Sequence, residues 1–581
     1  MTRDVARRLL LGTAPALLGA AVAGGPTSAC YSAGAGTSPP PKSFYFPVGL
    51  AVSKGGNVLY AVNSDFDLQW NGGTLQSYDL FGMRRDATAL IIANLTGTWP
   101  TTDQQPFIGI SKWAKNCRDQ ARGTLGNGTR ALLGQSCAPP VNSAVYEKNS
   151  AIIGAFATDL QLSLSGTRLF MPVRGDATLT WADVPYDPPN ATGPADFRLY
   201  CGQGADGRCD AIHHSGSDPN ESGNTRHVTM PGEPFGIAQT EDGSAVAITH
   251  QTDTKTSLLM TVIHDSKPGT APSVDPSMQF VLDGLPIGGS GIAAVPHDRD
   301  AVPPPCETNG NMPPCVRPAF LETSRNPNSP ELDLLRYYND DGSNLHRPFL
   351  AKEAVYGFTT NAPGTDSRGI AIDPTPRMAC KWRATQFLAT PPYLVPPSAA
   401  DATACGELPA RVFFANRTPP SLVVGEIGKA SVSGDARYDP DLLRISGNIS
   451  LPVGPSRVYL APIVTSAGNY ALRVFIVCFD ASAIVVYDPE PPGRVENTIY
   501  VGQGPFAMAF DPFSTQDVAQ NAPVQLDTRQ DAQLNLRRYR FAYVASFTGS
   551  FVQLIDLDQS SPETFESIVF TLGQATKPKG T

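Results

Sequence analysis

The chain of 581 residues repeats one phrase seven times. Two clear copies read "GLAVSKGGNVLYAVNSD", from Gly49, and "GIAQTEDGSAVAITHQTD", from Gly236. Each copy contains a glycine, a short apolar run, a turn, and a second apolar run that ends in a small or polar residue. Because the runs are short and rich in β-branched and aromatic residues, they are typical of β-strands joined by turns. A repeat of this kind constrains the fold more strongly than composition does.

The repeating unit consists of four short strands. A third strand-like run closes each copy, and a fourth follows most copies, reading "TALIIANL", "RHVTMPG", "MQFVLDG", "ISGNISLPVG", "NTIYVGQG" and "ESIVFTLG". Seven four-stranded sheets packed radially bury their faces against each other, which a single sheet cannot do. The sequence therefore predicts an all-β fold, a seven-bladed β-propeller over residues 44–573 with a tail at 574–581. The blades are expected to start near residues 48, 154, 235, 291, 369, 455 and 505.

The same pattern predicts how the ring closes. The first glycine of a copy lies where the chain passes from an outermost strand to a crowded innermost strand, and a missing Cβ is useful there. Each blade is complete within its own stretch of chain, so we expect closure by packing alone, and the terminal blades should open first. The segment "SFYF" (43–46) is the one that could pair along 568–572 and form a connection.

Long insertions with paired cysteines separate some strands. The longest insertion covers 81–150, and others lie at about 185–231, 301–317 and 374–410. Eight of the ten cysteines form close pairs around polar, Gly/Pro-rich segments, which suits disulfides made in an oxidising compartment. The expected pairs are Cys117 with Cys137, Cys201 with Cys209, Cys306 with Cys315, and Cys380 with Cys405. The apolar run "RVFIVCFD" predicts a buried free thiol at Cys478.

Residues 1–30 have the features of an export signal. Three arginines precede an apolar run at 9–23 that is too short to span a membrane as a mature helix. Two cleavage sites stay open: after Ala23 in "AVA", or before Cys30 in "TSAC", which resembles a bacterial lipobox except for its threonine. Residues 31–43 are small, polar and proline-rich, which is typical of a flexible tether and favours lipidation of Cys30.

Three stretches resemble the YVTN-type propeller repeat, in which strands of the form "vyVtN", "v.viD" and "tI.vG..P" recur in order. They read "LYAVNSD…GTLQSYDL", "AYVASFTGSFVQLIDLD" and "TIYVGQGPFAMAFDP", and the likeness covers nearly all of the chain after the signal. An export signal followed by a propeller also resembles the propeller lipoproteins of Gram-negative bacteria. This resemblance implies a place in the bacterial cell envelope, anchored to the outer membrane on its periplasmic or surface face.

Charge and motifs narrow the possible functions. The net charge of −9 and a pI near 5.4 argue against nucleic-acid binding, which needs a basic surface. No catalytic or dinucleotide motif is present, so we expect neither a cofactor nor a catalytic residue. The polar segment Cys209–His227 contains His213, His214 and His227, which are weak candidates for a metal site, while a solvated, disulfide-stapled loop explains them more simply.

Two functions stay open at this point. The first is a non-catalytic binding or interaction scaffold in the envelope, with a protein or an envelope polymer as partner and membrane contact through the N-terminal lipid only. The second is a propeller hydrolase, similar to the lactonases that hold a metal in the central channel, with Asp373 and Asp511 as candidate carboxylates. The hydrolase needs three or more carboxylate, amide or imidazole groups that converge at one end of the channel.

Overall fold

A computed structural model describes residues 36–573, apart from 97–104, 108–138, 192–194, 261–267, 273, 307–314, 327–330, 341, 358–364, 390–391, 430–440 and 528–535. The predicted signal at 1–30 and the tail at 574–581 lie outside the described residues.

Among the described residues, the strands form seven blades, each built on four antiparallel strands, which confirms the predicted seven-bladed β-propeller. Six blades are four-stranded sheets, and the seventh has a fifth strand. In chain order they are β1 (Pro47–Val52), β2 (Val58–Asn63), β3 (Gly73–Asp79), β4 (Pro140–Val141), β5 (Glu147–Ile153), β6 (Gln161–Leu162), β7 (Arg168–Val173), β8 (Thr178–Asp183), β9 (His214–Ser215), β10 (Pro234–Gln239), β11 (Ala245–His250), β12 (Thr256–Met260), β13 (Ser277–Leu282), β14 (Gly289–Ala294), β15 (Ala319–Ser324), β16 (Glu331–Tyr338), β17 (Phe349–Gly357), β18 (Thr365–Asp373), β19 (Gln386–Ala389), β20 (Pro392–Val395), β21 (Ala410–Thr418), β22 (Pro420–Gly428), β23 (Leu442–Ser450), β24 (Pro455–Val464), β25 (Tyr470–Cys478), β26 (Ala483–Asp488), β27 (Arg494–Tyr500), β28 (Pro505–Phe510), β29 (Phe541–Ser546), β30 (Phe551–Asp556) and β31 (Ile568–Leu572).

From the innermost strand outward, blade 1 contains β1, β2, β3 and β5, and blades 2 to 4 contain β6 to β9, β10 to β13 and β14 to β17. Blade 5 contains β18, β21, β22 and β23, blade 6 contains β24 to β27, and blade 7 contains β28 to β31. Strands β19 and β20 form a separate hairpin. The helices are α1 (Leu80–Thr96), α2 (Ser143–Tyr146), α3 (Thr375–Ala384), α4 (Ala399–Gly406) and α5 (Thr515–Ala519), with a 3₁₀ turn at Ala211–His213. Among the described residues, no helix has the length and apolar character needed to cross a membrane.

The apolar core consists of seven clusters, and each cluster lies between two neighbouring blades. The cluster that closes the ring, for example, joins Leu59 and Tyr78 of blade 1 to Phe541 and Phe570 of blade 7, and all four are fully buried. Burial of apolar surface between blades therefore holds the ring together, and it leaves the centre free for a channel.

Two glycines show why the repeated phrase begins with this residue. A Cβ on Gly49 would lie 2.5 Å from the Cβ of Leu160 in blade 2, and a Cβ on Gly369 would lie 2.5 Å from the Cα of Arg457 in blade 6. Adjacent innermost segments approach too closely at these points to admit any side chain. The predicted role of the glycines at the start of the blades is confirmed at these positions.

Two of the predicted fourth strands are wrong. "TALIIANL" (88–95) lies in α1, because the buried apolar side chains of the longer stretch 80–96 recur at helical spacing, as Met83, Ala87 and Leu90 do. The fourth strand of blade 1 is β5, which comes after most of the insertion at 81–150. In blade 2, "RHVTMPG" forms no strand, and the two-residue β9 takes the outer position.

The prediction that the ring closes without a hydrogen-bonded connection is also wrong. Strand β4, from the insertion of blade 1, pairs in parallel with β31 and becomes a fifth strand of blade 7. The backbone amides of Thr571 and Gly573 donate to the carbonyls of Pro139 and Val141 at 3.0 and 2.8 Å. Since β4 occupies this edge of β31, the segment at 43–46 does not pair there.

Three further contacts join blade 1 to blade 7. The backbone amide of Phe46 donates to the hydroxyl of Ser550 at 3.3 Å. Nε of Arg84 in α1 lies 3.1 Å from a carboxylate oxygen of Asp511, and both side chains are buried. Nη2 of Arg84 also donates to the carbonyl of Arg537 at 2.6 Å. The insertion of blade 1 therefore contributes both a strand and a buried ion pair to the closure.

The structure contains three of the four expected disulfides: Cys201–Cys209, Cys306–Cys315 and Cys380–Cys405. Each closes a loop of the kind expected from the sequence. Cys117 and Cys137 lie outside the described residues, as does Cys30. Cys478 is a buried free thiol, and burial raises its pKa to about 12, so it is inert near neutral pH.

We expect Arg84→Ala to lower the free energy of unfolding by about 3–5 kcal/mol, because it leaves the carboxylate of Asp511 buried without its cation. Arg85→Ala is the matched control. The guanidinium of Arg85 is about half exposed and pairs with Asp86, and such surface pairs contribute about 0–1 kcal/mol. The free energy of unfolding of the two variants is measured by urea titration. An equal decrease in the two variants would contradict this role of Arg84.

Candidate functional site

The central channel contains a cavity of about 480 Å³. Every blade contributes to its lining through the start of its innermost segment. The equivalent residues are Val48, Thr158, Phe235, Ser290, Arg368, Ser456 and Phe506. Because all seven blades meet here, the cavity is a product of the closed ring rather than of any single blade.

A second set of lining residues comes from one repeated position. In each blade, one residue at or near the end of the second strand pairs with the start of the innermost segment, as Asn63 does with Pro47 and as Asn416, two residues before the end of β21, does with Ser367. The residue that follows it reaches the cavity in six of the seven blades. We call these seven residues the second-strand ring. It comprises Ser64, Arg174, Gln251, Arg325, Arg417, Phe479 and Phe547, of which Arg325 does not line the cavity.

An aromatic cluster forms one wall of the cavity. The ring centre of Phe547 lies 4.9 Å from that of Phe46, 5.3 Å from that of Phe66 and 5.7 Å from that of Phe506. Phe66 is also 5.8 Å from Phe156 in blade 2 and is half exposed. These tilted and edge contacts give a wall suited to planar or apolar groups.

Arginines line other parts of the cavity, and each is held by a carboxylate. The pairs are Arg174 with Glu233 at 2.7 Å, Arg368 with Asp366 at 2.5 Å, and Arg417 with Asp480 at 2.5 Å. None of these three carboxylates belongs to the cavity lining, whereas the three arginines do. The guanidinium groups are therefore oriented by acids that lie outside the cavity.

A fourth arginine crosses the channel. Arg457 in blade 6 donates to the carboxylate of Asp159 in blade 2 and to the carbonyl of Thr158, both at 2.8 Å. Its guanidinium also lies 4.8 Å above the ring of Phe506. Burial opposes the charge of Arg457, but the negative charge of Asp159 raises the pKa of the guanidinium above its ordinary value. This ion pair links two blades that are not neighbours.

The lining does not fit the metal site of a lactonase-like hydrolase. Among the described lining residues, Asp159 is the one carboxylate and Gln251 the one side-chain amide, and Asp159 is already bound by Arg457. The candidates Asp373 and Asp511 are buried in ion pairs and do not line the cavity. Within the described part of the chain, no three His, Cys, Asp or Glu side chains converge as metal ligands would.

The three candidate histidines of the Cys209–His227 segment make separate contacts. Nδ1 of His213 lies 2.6 Å from Asp210, Nδ1 of His214 lies 3.3 Å from Asp176, and Nδ1 of His227 lies 3.2 Å from the carbonyl of Pro219. Each contact is a local one within or beside the disulfide-stapled loop, so the structure does not assemble the three imidazoles into one ligand set.

Sequence reasoning missed a buried histidine among blades 3, 4 and 5. Nδ1 of His297 lies 2.7 Å from Glu241, and Nε2 lies 2.9 Å from Asp441. Arg336 contacts the same Asp441 at 2.6 Å. Burial lowers the pKa of His297, but hydrogen bonds and charges from the two carboxylates outweigh this and raise the pKa to about 9. His297 is thus an imidazolium between blades, and its partners are too distant in sequence to be inferred from it.

Comparison with known proteins shows no family for this chain. No protein family model matches the chain, and no curated protein matches it. The chain is similar to the periplasmic gluconolactonase PpgL of Pseudomonas aeruginosa, with 11% identity over 79% of this chain and 86% of that chain and a TM-score of 0.37. It is also similar to hydrazine synthase of Kuenenia stuttgartiensis, with 7% identity over 89% of this chain and 97% of that chain and a TM-score of 0.39. A third similar structure is Sqt1 of Saccharomyces cerevisiae, with 7% identity over 93% of this chain and 90% of that chain and a TM-score of 0.36. Similarities this low carry no argument about fold or activity.

His297 predicts a pH dependence of stability. Its pKa of about 9 in the folded chain exceeds the value of about 6.5 for an unfolded histidine. The contribution of His297 to the free energy of unfolding is therefore complete below pH 6.5 and is lost as the pH rises through 9. We expect the urea midpoint of the unaltered chain to fall over this range relative to that of His297→Gln. The exposed His346 provides the control, and a fall that persists in His297→Gln but not in His346→Gln would contradict the assignment.

Proposed function

We propose that this chain is a non-catalytic propeller that binds a small molecule in its central cavity, and that a lipid on Cys30 tethers it to a bacterial envelope membrane. The cavity carries the binding part of the proposal. Its volume of about 480 Å³ lies within the usual range of small-molecule sites. Its lining combines apolar and aromatic walls with a few oriented polar groups, which is the usual composition of such sites.

The charged groups of the cavity support binding rather than catalysis. A general base or a nucleophile needs a side chain that can exchange a proton or attack the substrate. The carboxylate of Asp159 is engaged by Arg457, and guanidinium groups keep their protons near neutral pH. One tightly bound metal ion per chain, in protein purified without chelators, would overturn this conclusion in favour of the lactonase-like hydrolase.

The disulfides and the N-terminal segment support the envelope part of the proposal. Three disulfides in one chain suit an oxidising compartment. The latter part of the expected tether at 31–43 contacts blade 1, where the amide of Asn71 donates to the carbonyl of Thr37 at 3.0 Å. Six residues lie between Cys30 and Thr37, which makes seven Cα–Cα steps. An extended chain of that length spans about 25 Å, so a lipid on Cys30 would hold the propeller close to the membrane.

The cavity proposal predicts saturable binding of an uncharged aromatic probe. N-phenyl-1-naphthylamine, which fluoresces in apolar surroundings, should bind at one site per chain. Ser456→Trp adds a large side chain to the cavity lining and should abolish the signal. Ser446→Trp, on the exposed face of β23, is the control and should leave it unchanged. Full binding by folded Ser456→Trp would contradict the cavity as the site.

The tether proposal predicts that Cys30→Ala moves the protein from the membrane fraction to the soluble fraction. Cys478→Ala is the control, because Cys478 is a buried thiol inside the propeller and carries no anchor. Both variants are expressed in a Gram-negative host and fractionated. If Cys30→Ala stays with the membranes after a high-salt wash, the lipid anchor is refuted.

A further inference from the structure

We infer that the ligand of the central cavity is a small organic anion with an aromatic or apolar body, an inference that rests on the function proposed above. The cavity places two kinds of wall across the channel from each other. Arg368 and Arg417 of blade 5 form an arginine wall. Phe66, which follows β2 of blade 1, and Phe156, which precedes β6 of blade 2, form an aromatic wall. In a ring of seven blades, blade 5 lies opposite blades 1 and 2.

The arginine wall has donors available for an anion. A guanidinium carries five N–H donors. Asp480 accepts from Nη2 of Arg417 at 2.5 Å, and the side chain of Arg417 makes no other protein hydrogen bond among the described residues. The remaining donors suit a carboxylate, sulfonate or phosphate group, which arginine binds in bidentate geometry. Arg417 is about one-third exposed, so it is accessible from the channel.

Positive charge is in excess around Arg368. Asp366 lies 2.5 Å from Arg368 and 3.8 Å from Arg325, so two guanidinium groups share one carboxylate. Burial lowers the pKa of Arg368, and the charges of Arg325 and Arg417 lower it further against the opposing effect of Asp366. Three arginines thus face two acids, Asp366 and Asp480, and a bound anion would compensate the remaining charge.

The second-strand ring also combines the two kinds of side chain, although not in the same blades. Blades 2, 4 and 5 place Arg174, Arg325 and Arg417 at this position, and blades 6 and 7 place Phe479 and Phe547 there. An inorganic anion would leave the aromatic wall without a partner, and a neutral apolar molecule would leave the arginine wall without one. A ligand with one anionic end and a planar or apolar body contacts both walls.

The test compares two probes that differ in charge. 8-Anilinonaphthalene-1-sulfonate has the ring system of N-phenyl-1-naphthylamine with an added sulfonate. We expect the sulfonate probe to bind at one site per chain and about 10- to 100-fold more tightly than the neutral probe. Arg417→Gln should remove most of this difference by weakening the anionic probe alone. Phe66→Ala should weaken both probes.

Matched controls come from exposed residues outside the channel. Arg198→Gln removes an exposed arginine that pairs with Asp196, and Phe387→Ala removes an exposed phenylalanine of the β19–β20 hairpin. Neither change should alter the affinity for either probe.

The outcomes separate this inference from the proposed function. Equal affinities for the two probes, or an Arg417→Gln variant that binds the sulfonate probe as the unaltered chain does, would refute the anion and leave cavity binding intact. Failure of both probes to bind would refute the binding function and the inference together. The comparison of the probes on the unaltered chain decides the inference even if Arg417→Gln does not fold.

Discussion

The structure depends on burial of apolar surface between neighbouring blades. Among the described residues, seven clusters fill seven interfaces, and none of them spans the centre of the ring. Such a ring is only as stable as its weakest interface, and the one between blades 1 and 7 joins the two ends of the described chain. Strand β4 and the pair of Arg84 with Asp511 reinforce that interface with backbone hydrogen bonds and a buried charge. Closure in turn creates the channel and its cavity.

The repeat was enough to predict the fold, because period-two strands and turn residues recur at each blade. What the repeat could not show is how the insertions pack. The segment "TALIIANL" has the β-branched content of a strand, yet its buried side chains follow a helical period within α1. Strand β4 has two residues and pairs with a strand more than four hundred residues away, so no local pattern indicates it.

The candidate site could be predicted only in part from the sequence. The residues of the second-strand ring each lie at or next to a strand end in a different repeat, where arginine and phenylalanine resemble ordinary surface residues. What these residues share is their position in the repeat. That shared position indicates a common site only when the seven blades are known to form a closed ring. The pairing of Arg457 with Asp159 joins blades 6 and 2, and His297 meets Asp441 from another blade. Such contacts depend on the angle between blades, and this angle cannot be inferred from the sequence.

The cavity and its two walls together describe a binding propeller for an amphipathic anion. The most direct test is a crystal structure of the chain with 8-anilinonaphthalene-1-sulfonate. The sulfonate should lie at hydrogen-bond distance, about 3 Å, from Arg368 or Arg417, with the rings against Phe66 and Phe156. A probe bound outside the channel, or one whose sulfonate points to the phenylalanine wall, would contradict the account.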